Sequence, residues 1–89
     1  MLVALIAKDK PNHLEVRTTN RQAHVDYLKS SDQISQAGPL LSQNGQMTGP
    51  LIILDVGNME EAKDWAAHDP YTKAGLFQSV ELIAWNKVI

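Results

Sequence analysis

The sequence contains no cysteine, and this absence is its first constraint on structure and chemistry. Without thiols the chain cannot form disulfides, use a cysteine nucleophile or bind a metal through thiolates. A protein that needs no disulfide does not require an oxidising compartment. We therefore expect a cytoplasmic location.

Long apolar runs and an excess of basic residues are also missing. The apolar run over residues 2–7 is too short to cross a bilayer, and it lacks the basic start and the cleavage site of a signal peptide. The formal net charge is −2, and the Lys and Arg residues are scattered, so no basic face is available to bind phosphates. We expect neither a membrane nor a nucleic-acid partner.

What is present is the composition of one ordinary globular domain, with 44% hydrophobic and 20% charged residues in a chain of 89. We expect a single domain over residues 1–89. Its core is small, because short chains bury a smaller share of their surface, and no disulfide or obvious metal site supplements it. Self-association as a homodimer would bury more.

Apolar periodicity and helix-capping signals predict the secondary structure. Thr19 and Gln22 have the spacing of a capping box, which starts the first helix near Asn20. Pro39 indicates an edge strand or a bulge, because proline donates no ladder hydrogen bond. The predicted elements are strand 2–8, loop 11–20 with room for a short turn of helix around Leu14 to Arg17, helix 20–31, strand 34–42, a hairpin turn at Asn44-Gly45, strand 51–56, a helix from Asn58 to before Pro70, a short turn 70–74, and strand 77–85.

This element order, β-α-β-β-α-β, predicts an α+β fold of the ferredoxin-like type. With two right-handed crossovers, the four strands form an antiparallel sheet with both helices on one face. The strands over 2–8 and 51–56 are almost wholly apolar, so they belong in the centre of the sheet. Their second face would be exposed in a monomer, which favours pairing of two sheets face to face.

The candidate reactive pair is His24 and Asp69. His24 shares a helix face with Tyr27 and Leu28, and Asp69 stands seven residues after Ala62 on the second helix, so both side chains are directed inward. A carboxylate that orients an imidazole makes a general acid-base near neutral pH. Two ordinary alternatives stay open: Asp69 could only cap the short helix that Pro70 starts, and His24 could be a core histidine.

Several motifs together resemble one family. They are Arg21 and His24 followed by Tyr27-Leu28, then Ala37-Gly38-Pro39-Leu40, then Trp65 followed by Asp69-Pro70-Tyr71, and Ala74-Gly75-Leu76-Phe77 leading into Val80. Over nearly the whole chain, this pattern resembles the YciI-like proteins of the dimeric α+β barrel group. The resemblance implies a barrel-like homodimer.

The resemblance also implies a site and a class of reaction. In that family the histidine and the aspartate of the Asp-Pro motif are regarded as the active-site pair, which here would be His24 and Asp69. One member removes chloride from a chlorinated hydroxyquinol-type ring, and muconolactone isomerases belong to the wider group. The implied activity is therefore proton transfer on a small cyclic or aromatic acid without a cofactor.

The candidate substrate-binding residues are Arg21, Gly38, Pro39, Tyr71 and Phe77. Arg21 lies three residues before His24 and could hold a substrate carboxylate, although a solvated surface arginine is the more ordinary interpretation. Tyr71 and Phe77 could line a pocket, and core packing is the ordinary alternative for both.

Two other functional classes are disfavoured. The histidines His13, His24 and His68 lack the close spacing of a metal site on one helix, so we expect no metal. An RNA-recognition domain shares the topology, but strand 51–56 lacks aromatic and basic residues that stack bases. Two hypotheses remain: a lyase-, isomerase- or dehydrochlorinase-like enzyme, and a non-catalytic small-molecule-binding or accessory domain.

Overall fold

Four strands and three helices form the chain, and the computed structural model describes all residues, 1–89. In chain order they are β1 Leu2–Asp9, α1 Leu14–Ser30, β2 Ile34–Leu41, β3 Met47–Asp55, α2 Met59–His68, α3 Pro70–Lys73 and β4 Phe77–Trp85. The strands form one antiparallel sheet in the order β2-β3-β1-β4. The predicted ferredoxin-like α+β fold is confirmed.

Alternation along the two central strands separates the core face of the sheet from its open face. Val3 and Leu5 on β1 pair with Leu54 and Ile52 on β3, and all four are at most 1% exposed. Because neighbouring residues of a strand face opposite sides, these four lie on the same face. Ala62, Trp65 and Ala66 of α2 complete this core, so the helices cover this face of the sheet.

Helix α1 begins at Leu14, well before the predicted start at Asn20, and this part of the prediction was wrong. Gln22 of the supposed capping box instead donates to Asp26 Oδ1 within the helix. Two polar residues assigned to the loop also bond inside the helix: Thr18 Oγ1 donates to the carbonyl of Leu14, and the Asn20 amide donates to the carbonyl of Val16. Such back-bonding to the fourth preceding residue is the usual arrangement for short polar side chains inside a helix.

Strand β3 begins at Met47, four residues before the predicted strand 51–56, because it pairs with β2 up to the hairpin turn. The turn, edge-strand and capping signals lie where they were expected. Strand β2, with Gly38-Pro39, is an edge strand, and Gly45 turns the hairpin with φ of 84°. The side chain of Asn58 accepts from the backbone N–H of Glu61 at 2.9 Å and caps α2. None of the helices has the length and apolarity needed to cross a membrane.

The sheet face opposite the helices is apolar and open. Ala4 on β1 pairs with Ile53 on β3 and with Ile83 on β4, and Leu2 pairs with Trp85. Ile83 is 47% exposed and Trp85 is 41% exposed. A continuous apolar surface of this kind usually marks an interface.

The close approach of β3 to β1 at Gly49 gives a test of this packing. A Cβ at Gly49 would collide with the carbonyl oxygen of Ala7, which is backbone and cannot move aside. We expect Gly49→Ala to lower the free energy of unfolding by more than about 1 kcal/mol. Gly38→Ala is the matched control, because no atom lies near its added Cβ, and its effect should stay within roughly 0.5 kcal/mol. Urea denaturation of both variants measures the difference, and equal effects would contradict the packing described.

Candidate functional site

His24 and Asp69, which the sequence only directed toward the same side, are in direct contact. His24 Nδ1 lies 2.7 Å from Asp69 Oδ1. The imidazole is 6% exposed and Asp69 is 1% exposed, so the pair is buried. His24 comes from the middle of α1, whereas Asp69 is the residue between α2 and α3. The contact therefore joins two parts of the helical layer that are far apart in sequence.

Asp69 performs both tasks that the sequence left as alternatives. Its Oδ1 accepts a hydrogen bond from the backbone N–H of Tyr71 at 3.0 Å, which caps α3, and the same oxygen faces His24. Oδ2 is buried and has no partner in the chain. When Asp69 is ionised its oxygens can only accept hydrogen bonds, and the contact then assigns the proton to Nδ1 of His24.

The second nitrogen of His24, Nε2, is free to act. It makes no hydrogen bond within the chain, and it is not one of the fully buried polar atoms that lack a partner. In the neutral ring with a proton on Nδ1, Nε2 holds the lone pair. The buried pair therefore presents a proton acceptor, or after protonation a donor, to whatever occupies the space beside it.

The imidazole of His24 packs flat against the ring of Tyr71. The rings of His24 and Tyr71 stack with centroids 4.0 Å apart and an interplanar angle of 14°. Burial raises the pKa of Tyr71, although the charges of Arg17 and Arg21 act in the opposite direction. The phenol therefore stays neutral at neutral pH. Phe77 meets Tyr71 edge to face, with centroids 6.0 Å apart.

Arg17 is a site residue that the sequence analysis missed. It is 7% exposed, and its Nε and Nη2 donate to the two carboxylate oxygens of Asp9 at 2.7 and 3.2 Å. Its Cζ lies 5.1 Å from the centre of the Tyr71 ring. Burial lowers the pKa of Arg17, but the hydrogen bond and charge of Asp9 and a smaller contribution from Tyr71 more than offset this, so its pKa is raised.

These side chains surround a cavity of about 140 Å³ between α1 and the β2–β3 side of the sheet. Four of the five predicted binding residues line it, namely Arg21, Gly38, Pro39 and Tyr71, together with His24 and Arg17. Phe77 does not line it and instead stands against Tyr71. The cavity thus combines an imidazole, two guanidinium groups and an apolar wall.

A larger groove, of about 530 Å³, lies on the open face of the sheet, but it has no titratable side chain. The residues that line it are Ala4, Gln36, Ala37, Gly38, Pro39, Leu51, Ile53 and Trp85. The smaller cavity, by contrast, is lined by His24, Arg17 and Arg21. No group of three or more His, Asp and Glu side chains is placed to hold a metal ion.

The signal that could have identified Arg17 was present in the sequence. Arg17, Arg21 and His24 have the spacing i, i+4, i+7, which places three side chains on one helix face. This spacing is informative only if the helix includes Arg17. The capping box inferred from Thr19 and Gln22 placed the helix start too late, so the predicted helix did not include Arg17. Asp9 gave no signal of its own, because its partner lies on a different element.

The comparisons with known proteins agree with this fold. The YCII-related domain family matches residues 1–86. An uncharacterized protein of Haemophilus influenzae is 34% identical, and Protein YciI of Escherichia coli is 31% identical, each over 99% of both chains. The 5-chloro-2-hydroxyhydroquinone dehydrochlorinase of Burkholderia phenoliruptrix, solved with 2,5-dihydroxybenzoquinone, is 34% identical with a TM-score of 0.90 over 97% of this chain and 94% of its own.

The two hydrogen bonds of Asp69 predict a large difference between two aspartates. Asp69→Ala removes the cap of α3 and leaves the buried imidazole without its partner, so we expect a loss of about 2–4 kcal/mol in the free energy of unfolding. Asp64→Ala, at an exposed position of α2, should change the free energy of unfolding by at most roughly 0.5 kcal/mol.

In the wild type, two-bond ¹H–¹⁵N NMR spectra should identify the neutral His24 ring as protonated on Nδ1. A ring protonated on Nε2 would contradict the assigned pair.

Proposed function

The chain belongs to the YCII-related domain family, and from this premise we propose that it is an enzyme that moves protons on a small cyclic or aromatic acid without a cofactor. In this proposal His24 is the general acid-base and Asp69 orients it. The reaction class is that of a lyase, an isomerase or a dehydrochlorinase. The substrate occupies the cavity of about 140 Å³ beside His24.

The observation that carries the proposal is the buried His24–Asp69 hydrogen bond beside a free Nε2. A histidine held in one tautomer by a carboxylate is the arrangement that general acid-base catalysis uses. The imidazole also stacks on the Tyr71 ring, with the two ring centres 4.0 Å apart. Its orientation is therefore already set before substrate binds. Such preorganisation lowers the cost of reaching a reactive geometry.

The size of the cavity supports a single small ring as substrate. A cavity of roughly 150 Å³ is known to hold one benzene molecule, and the cavity here is of nearly the same volume. Its walls include Val25, Leu28 and Ile52, which suit the faces of a ring, whereas Arg21 suits an acidic substituent.

The structural neighbour supports the dehydrochlorinase form of this chemistry, because its name specifies a chlorinated hydroxyhydroquinone and its bound ligand is a quinone. Loss of HCl from such a ring moves one proton to the carbon that bears chlorine and removes two hydroxyl protons. One proton and one chloride leave, the chloride takes the bonding electron pair, and a quinone remains. A histidine that accepts a proton and returns it suits both steps.

The test is chloride release from 5-chloro-2-hydroxyhydroquinone by purified protein. We expect His24→Gln to lower the rate by about 10²- to 10⁴-fold, because it removes the proton-transfer group while it keeps a polar side chain of similar size. His68→Gln is the matched control, since His68 lies on the exposed side of α2, and its rate should equal that of the wild type.

The other possible outcomes distinguish the enzyme from the non-catalytic small-molecule-binding domain. Unchanged turnover in His24→Gln would refute the role of His24. If the wild type binds 2,5-dihydroxybenzoquinone in the cavity but releases no chloride, the result supports the non-catalytic small-molecule-binding domain. Binding is measured by chemical-shift changes at Tyr71 and His24.

We also propose that two copies of the chain pair through their open sheet faces as a homodimer. The support is the apolar character of that face, where Ile83 and Trp85 are each more than 40% exposed. Two sheets that pack face to face remove such surface from water at a spacing of about 10 Å. The groove on this face shares Gly38 and Pro39 with the cavity, so a dimer would also support the wall of the site.

Light scattering after size-exclusion chromatography tests the dimer. The wild type should have twice the chain mass of 9.9 kDa. Ile83→Lys places a charge on the paired face and should produce a monomer that retains its circular dichroism spectrum. Leu14→Lys, at an exposed position at the start of α1, should remain dimeric. A monomeric wild type would exclude the proposal.

A further inference from the structure

We propose that Arg17 is the anion-recognition residue of the cavity and that Asp9 is the positioning residue that presents it. The ligand class that follows is a monocyclic anion whose acidic oxygen binds Arg17 and Arg21 while its reacting carbon faces His24 Nε2. This inference names the substrate class of the proposed enzyme and therefore rests on the proposed function.

The first observation is that Asp9 binds only one edge of the buried guanidinium of Arg17. Arginine has five N–H groups in a planar fork, and Asp9 binds the edge formed by Nε and Nη2. Asp9 takes no N–H of Nη1, and Tyr71 is the one other side chain whose hydrogen bonding acts on this guanidinium. A charged side chain that is 7% exposed and lines the cavity therefore keeps donor groups beyond those that Asp9 binds.

The second observation is the alignment of three functional side chains on α1. Arg17, Arg21 and His24 are at positions i, i+4 and i+7, and all three line the cavity. Arg21 lies about 4.5 Å before His24 along the helix axis, and Arg17 about 10.5 Å before it. One side of the cavity is therefore cationic at one end and carries the proton-transfer group at the other.

Tyr71 limits the distance between the two functional ends of the cavity. The His24 ring centre lies 4.0 Å from the Tyr71 ring centre, and Arg17 Cζ lies 5.1 Å from it. The imidazole and the guanidinium therefore cannot be farther apart than the sum of these two distances, so one ligand can reach both. The volume of about 140 Å³ is close to that of a cavity known to hold one benzene molecule, which favours a single ring.

The third observation is a second cavity on the other side of Arg17, which is basic. Lys8, Lys10 and His13 line it together with Arg17, and Asp9 is its one acidic residue. Asp9 is already paired with Arg17, so the unpaired charges there are positive. In a protein of formal net charge −2, this local excess of positive charge would draw an anion toward the site.

The competing interpretation is that Asp9 and Arg17 form a buried ion pair that only attaches α1 to β1. A purely structural pair would change stability when it is altered, but it would not discriminate between an anion and its neutral analogue. Discrimination between charged and neutral ligands is therefore the property to measure.

The experiment uses two pairs of probes, each with one anion and one neutral counterpart. The ring enolate of 2,5-dihydroxybenzoquinone is paired with 2,5-dimethoxybenzoquinone, and benzoate is paired with benzamide, so the two pairs distinguish a ring enolate from a ring carboxylate. Isothermal titration calorimetry gives each dissociation constant. We expect the wild type to bind at least one anion about 10- to 100-fold more tightly than its counterpart, and Arg17→Gln to lose this preference.

Three further variants keep the result interpretable. Asp9→Asn with Arg17→Gln replaces the ion pair by two amides and serves if Arg17→Gln alone does not fold. Lys29→Gln removes one exposed charge from the same helix and should keep the preference. His24→Gln should keep it as well while it loses chloride release, so the two proposals can fail separately. An anion preference that survives in Arg17→Gln, or its absence in the wild type, would overturn the role of Arg17.

Discussion

The hydrogen bond between His24 and Asp69 is the contact on which the site depends. It links the middle of α1 to the junction of α2 and α3, and the same Asp69 oxygen caps α3 through Tyr71. The cap places Tyr71 under the imidazole. One carboxylate oxygen thus sets the start of a helix, the tautomer of a histidine and the position of the ring beneath it. A buried carboxylate is costly unless it is bonded; here Oδ1 is bonded by two groups of the site, whereas Oδ2 is buried without a partner in the chain.

A second polar contact organises the other end of the cavity. Asp9 ends β1 and holds Arg17 of α1 in bidentate geometry, so the first turns of α1 are attached to the sheet. Bidentate pairs of this kind constrain orientation as well as distance. The cavity therefore lies between two fixed polar contacts, and its apolar walls come from α1 and from β2 and β3. Because Gly38 and Pro39 border both this cavity and the open sheet face, an occupant of that face would also contact the site wall.

How well the site could be predicted depended on how local each signal was. The directions of His24 and Asp69 followed from periodicity within one helix each, and both directions agree with their burial. Their separation of 2.7 Å could not be predicted, because it depends on how two helices pack. Arg17 was missed because Thr19 and Gln22 imitate a capping box, and sequence spacing does not distinguish a capping side chain from one bonded inside a helix. The ion pair with Asp9 joins the end of β1 to α1 and accompanies the earlier start of α1.

The sequence by itself determined the element order, the central position of the two apolar strands, the edge position of the strand with Gly38-Pro39, the cap at Asn58 and the family resemblance. Each of these depends on residue type and on spacing within one segment, where backbone geometry permits few solutions. Only the tertiary structure decided that His24 meets Asp69, that Arg17 belongs to the cavity and that Phe77 stands behind Tyr71. Those relations depend on distances between elements, which arise from packing of the whole core and are not encoded in the period of any single helix or strand.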